Sequence, residues 1–102
     1  MEQNIKRIQE MEKILDEYSI LLENFNESFD KLLKYQDRYA KLRDYYGSEE
    51  YFEDLDRSNA GEFPSDLKCG VLSEDLVYNL IGDNFQTAIK MLELATQMIK
   101  ED

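Results

Sequence analysis

The sequence predicts an all-α fold, a long antiparallel helical hairpin with a short connecting helix, and three observations carry that expectation. Proline occurs once and glycine four times in 102 residues, so long elements run uninterrupted. Apolar side chains recur at helical spacing over two long stretches. No stretch alternates apolar and polar residues as a half-buried strand would, and there is no internal repeat. A chain of this length makes one domain with a modest core.

The first long helix is expected over about residues 3–46, which contain neither proline nor glycine. With Met11 at position a of a heptad, position a holds Met11, Tyr18, Phe25, Leu32, Tyr39 and Tyr46. Position d holds Ile14, Leu21, Ser28, Tyr35 and Leu42, and position e adds Leu15, Leu22 and Phe29. That stripe is wider than a two-stranded coiled-coil seam. Acid-before-base pairs at i, i+4 (Glu2/Lys6, Glu27/Lys31, Asp30/Lys34, Asp37/Lys41) line the opposite face. Each such pair adds roughly 0.2–0.5 kcal/mol. Asn24, Asn26 and Ser28 are the weakest helix formers here and mark the expected place for a kink.

Gly47 closes this helix, and Ser48 caps a short one over about residues 49–57, with Glu49 and Glu50 in its first turn. Tyr51, Phe52 and Leu55 should face inward. Ser58-Asn59-Ala60-Gly61 reads as a turn, and a loop occupies residues 58–72. Pro64 ends any preceding helix. Ser73 is then the expected N-cap of the last helix, over about residues 74–99, with Glu74 and Asp75 in its first turn. Leu72 and Val77 stand at the two ends of a hydrophobic staple. Val77, Ile81, Phe85, Ala88, Leu92, Ala95 and Ile99 form its main stripe, and Gly82-Asp83-Asn84 is a possible interruption.

The two long helices differ in length, roughly 65 Å against roughly 40 Å at ~1.5 Å per residue. Folded back antiparallel, the second cannot cover Ile5, Ile8, Met11, Ile14 and Leu15. An exposed apolar stripe of that kind usually marks an interface. The expectation is therefore a homodimer in which two hairpins complete a bundle, with those five residues as the dimer face.

The net charge of −11 is unevenly placed. Residues 1–46 carry 10 acids and 8 bases, residues 47–66 carry 7 and 1, and residues 67–102 carry 6 and 3. The middle segment repels phosphate backbones and anionic membranes, which argues against nucleic acid and membrane as partners. A basic protein partner is compatible with it, met by Glu49, Glu50, Glu53, Asp54 and Asp56.

Catalytic chemistry has little to work with. Histidine is absent, which removes the commonest general base and metal ligand. No G-x-S-x-G elbow, glycine-rich phosphate loop or paired cysteines occur. Cys69, the single cysteine, excludes an internal disulfide, fits a reducing compartment and reads as a small packing residue. No basic-then-apolar leader follows Met1, and no apolar run reaches membrane-spanning length, so a soluble cytoplasmic protein is expected. No catalytic residue, metal ligand or cofactor is assigned. The leading reading is a non-catalytic interaction or self-assembling module. The alternative is a carboxylate-based divalent-metal protein or hydrolase, with Asp54, Glu74 and Asp75 gathered at the helix junction.

Certain short runs carry a resemblance. They are Arg7-Ile8 with Met11-Glu12, then Tyr45-Tyr46-x-Ser48, Asp54, Gly61, Pro64, Leu67-Lys68 and above all Gly70-Val71-Leu72-Ser73-Glu74-Asp75. With these the chain resembles a family of small bacterial proteins, domain of unknown function 4298. The family pattern often places a tryptophan just after the Tyr-Tyr-x-Ser run, where this chain has Tyr51 and Phe52. The resemblance implies a small helical bacterial cytoplasmic protein and supplies no activity.

Overall fold

The computed structural model describes residues 1–100. It is all-α: 81% helical, with four α-helices and no strand among the described residues. These are α1 (Glu2–Lys34), α2 (Gln36–Tyr45), α3 (Glu49–Asn59) and α4 (Leu76–Ile99), with one turn of 3-10 helix at Gly70–Leu72. The chain divides into two compact units, Met1–Tyr39 and Ala40–Asp102, and the division falls inside α2.

In the first unit, α1 runs without interruption through Asn24, Asn26 and Ser28, where the kink was expected. The propensity deficit of those residues is a few tenths of a kcal/mol each, roughly, too little to break a helix flanked by good formers. The break falls instead at Tyr35, so the single helix expected over residues 3–46 is two. Its cause is local. The Gln36 side chain donates to the Leu32 carbonyl at 3.0 Å, the acceptor that its own backbone N–H takes in an unbroken helix. The Tyr35 N–H donates to the Leu32 carbonyl at 3.2 Å, a tighter, 3-10-type closure. Tyr39 N–H then resumes the α pattern on the Tyr35 carbonyl at 3.0 Å.

No residue of α1 is buried. Ile5, Ile8, Met11, Ile14 and Leu15 are 48–61% exposed. The same holds further along the stripe, from Tyr18 (52%) through Leu21 (65%) to Leu32 (43%). The i, i+4 ion pair on this helix is Lys13–Glu17 at 4.0 Å, in place of the acid-before-base pairs expected. Exposed pairs gain too little to hold two long side chains in one geometry.

The second unit is organised by turns. After α2, Gly47 takes φ +83°, a conformation that any Cβ would disfavour. Ser48 then caps α3: its hydroxyl accepts from the Tyr51 N–H at 3.2 Å and donates to the Tyr45 carbonyl at 2.6 Å. At the far end of α3, Gly61 takes φ +72°. Its N–H donates to Ser58 O at 3.0 Å, and the Glu62 N–H donates to Arg57 O at 3.1 Å. These are the two bonds of a Schellman motif, which carries α3 two residues past the end expected at 57.

The last helix begins at Leu76, two residues later than expected. The N-cap position is therefore Asp75 and not Ser73, and it makes no side-chain cap bond; the Ser73 hydroxyl still accepts from the Leu76 N–H at 3.2 Å. Its own N–H, however, is tied to Gly70 O in the 3-10 turn at 3.1 Å. The Glu74 carbonyl, which an earlier helix start would use, accepts from the Tyr46 hydroxyl at 3.3 Å. Glu74 and Asp75 therefore precede the first turn instead of occupying it. From Leu76 the helix is continuous through Gly82, whose propensity cost of about 1 kcal/mol is met by the strong formers around it. Val77 is its buried residue, with Ile81, Asn84, Ile89 and Met91 half-buried. Phe85 (62% exposed), Leu92 (69%) and Ile99 (79%) of the expected stripe face solvent.

Candidate interaction site at the helix junction

The densest side-chain arrangement of the second unit surrounds Tyr51, which is 6% exposed. Ser48 fixes the start of α3 and thereby aims Tyr51 back at the end of α2. Tyr45 meets its ring edge-on, centroids 5.7 Å apart at 83°, and Tyr46 does so at 5.3 Å and 64°. Phe52 closes a third side at 5.2 Å and 75°. Edge-to-face pairs of this kind add roughly 0.5–1.5 kcal/mol beyond the area they bury.

The polar ends of the rings are occupied. The Tyr45 hydroxyl donates to Asp54 Oδ2 at 2.7 Å. Tyr45 is pushed up to about 12 from its ordinary 10, first by desolvation, then by that hydrogen bond and the Asp54 charge, with smaller contributions from Tyr51 and Glu50. Phenolate chemistry at neutral pH is thereby disfavoured. The Tyr46 hydroxyl reaches the Glu74 carbonyl and ties this cluster to the segment leading into α4.

The acids singled out from the sequence separate into two groups. Asp54 is half-buried and committed to Tyr45, and Glu53 lies 3.5 Å from Arg57 Nε. Glu49, Glu50 and Asp56 are exposed. Asp54, Glu74 and Asp75 do not form a cation cage: among the described residues no group of three or more His, Cys, Asp or Glu side chains comes together. The Tyr45–Asp54 bond was missed in the sequence. A signal for it exists, since Ser48 as cap sets α3 in phase and places Asp54 one turn after Tyr51.

Beside the cluster, Lys68, Gly70, Val71, Leu76, Val77 and Leu80 line an open, mainly apolar groove of about 410 Å³. The backbone at Gly70 passes close to this groove: a Cβ there would stand 3.3 Å from Cδ1 of the exposed Leu76 side chain, which would have to shift slightly. Cys69, next to Gly70, is a half-buried free thiol. Among the described residues no helix is long and apolar enough to cross a membrane.

The runs that carry the family resemblance are largely the ones that build this junction. Tyr45, Tyr46, Ser48, Asp54, Gly61, Gly70, Ser73 and Glu74 each make one of the contacts or turns just described. No curated protein matches the chain. A family match runs over residues 8–94, from the first turns of α1 almost to the end of α4. The chain belongs to the family described as Domain of unknown function (DUF4298).

Proposed function

We propose that this protein is a non-catalytic, self-associating helical module that works through the apolar face of α1. One observation supports the reading above all: a 33-residue amphipathic helix with no buried residue. In water, most helical stability in proteins comes from packing such a face, not from propensity. A stripe from Ile5 to Leu32 left open to solvent calls for a cover. A homodimer supplies one, and the exposed acids Glu49, Glu50 and Asp56 remain available to a basic partner. A cytoplasmic setting suits this reading.

Substitution in the stripe tests it. Ile14→Glu places a charge in the face and should convert a dimer to a monomer in sedimentation velocity at micromolar concentration, with loss of helical circular dichroism. Ser19→Glu, on an exposed position outside the a, d and e stripe, should leave the dimer intact. Identical masses for wild type and Ile14→Glu would remove the reading.

A further inference from the structure

The charges that flank the apolar stripe of α1 are ordered along the helix. In the frame with Met11 at position a, position g holds Glu10, Glu17, Asn24 and Lys31 on α1 and, past the break at Tyr35, Arg38 in the first turn of α2. Acids therefore occupy the first two places, a neutral amide the centre and bases the last two. All five side chains are exposed. Their neighbours do not lock them. Glu17 is at the outer limit of pairing with Lys13, and the Arg38 guanidinium lies over the Tyr35 ring at 5.7 Å.

We infer that two copies of α1 pair antiparallel, in a register that sets Glu17 of each against Lys31 of the other. This inference rests on the self-association proposed above and names its geometry. Antiparallel helices pair g with g, and the same register then brings Glu10 towards Arg38 and Asn24 towards its own symmetry mate. All charged g positions meet opposite charge. A parallel pair leaves each g beside position e, where Ile8, Leu15, Leu22 and Phe29 offer nothing to a charge.

The interior fits the same register. Layers form between a of one helix and d of the other: Met11 with Tyr35, Tyr18 with Ser28, Phe25 with Leu21 and Leu32 with Ile14. Ser28, the one small polar residue at d, stands opposite the large Tyr18. On the side away from the charges, Leu15 meets Phe29 and Leu22 meets its own mate, which explains why the stripe includes position e. The continuity of α1 through Asn24–Ser28 is what allows this pairing along residues 14–32, where α1 of one copy faces α1 of the other. The area is sufficient. The eight stripe residues from Ile14 to Leu32, each 40–65% exposed, present of order 800 Å², which matches the about 800 Å² per partner of a stable interface.

Spin-label distances decide the orientation. Gln9 and Glu23 share heptad position f, so labels on Gln9→Cys and Glu23→Cys, each in a Cys69→Ser chain, differ only in height along the pair. Antiparallel pairing in this register predicts roughly 40 Å between labels at position 9 and roughly 20 Å at position 23. Equal short distances at both sites would show a parallel dimer and overturn the inference while leaving self-association standing. Any other pair of distances would overturn the register. A monomeric mass for both labelled chains and for the unlabelled wild type would overturn this inference and the proposed function together. Charge reversal gives an independent reading. Lys31→Glu should weaken the dimer about tenfold through its two symmetric contacts, and Glu17→Lys with Lys31→Glu should restore it. An unaltered dissociation constant for Lys31→Glu would count against the register.

Discussion

Helix α1 and the junction that follows it are both helical, yet they are held in different ways. The junction is dense and self-contained. Within residues 45–76 two glycines at positive φ, a serine cap, a Schellman motif and a three-sided tyrosine cluster satisfy one another. In α1 the backbone is regular, its N-terminus has no side-chain cap, and every apolar residue of its stripe is open to solvent. The difference teaches that the two parts answer to different constraints. One is specified by contacts within the chain; the other presents an apolar face, which the proposed self-association would cover.

The contrast can be broken most severely at Tyr51. Tyr51→Ala removes the centre of the tyrosine cluster and should destabilise the second unit by about 3 kcal/mol, measured by urea unfolding. On the proposed self-association through α1, the dimer mass should survive in dilute urea-free buffer. Loss of the dimer with Tyr51→Ala would show that the two regions are not independent.

A smaller effect is expected from Gly61→Ala. At φ +72° the added methyl group should cost about 1–2 kcal/mol through strain alone, since nothing stands within 4 Å of the new Cβ. Ser48→Ala should cost about 1 kcal/mol by opening the Tyr51 N–H, with Ser48→Gly milder. Both changes should lower the denaturation midpoint without altering sedimentation.

The mildest prediction concerns pH. Tyr45 holds its proton more tightly folded than unfolded, so its contribution is fully present below about pH 10 and is lost as pH rises towards about 12. Unfolding midpoints taken across that window should fall for wild type and fall less for Tyr45→Phe. Equal slopes would mean that the Tyr45–Asp54 bond contributes nothing measurable.

Much of this architecture was legible in the sequence, and the exceptions share a cause. Ser48, Gly47 and Gly61 announce themselves because caps and positive-φ turns depend on one or two residues. Helix lengths argued for an open face at Ile5–Leu15 alone, whereas the stripe is open along the whole of α1 to Leu32. The break at Tyr35 was not legible, because it depends on whether the Gln36 side chain or backbone takes the Leu32 carbonyl. The late start of α4 likewise depends on Tyr46, 28 residues earlier, capturing the Glu74 carbonyl. Asp54 read as surface charge because its partner lies across a turn. Periodicity reports which face is apolar; it does not report which apolar face the chain itself will cover, as Phe85 and Leu92 show.

Sedimentation equilibrium of the unmodified chain across the micromolar range tests the central claim most directly. A covered α1 face predicts a species of twice the 12.1 kDa chain mass, dissociating on dilution. A single 12.1 kDa species throughout would contradict it and leave the stripe from Ile5 to Leu32 without its second copy.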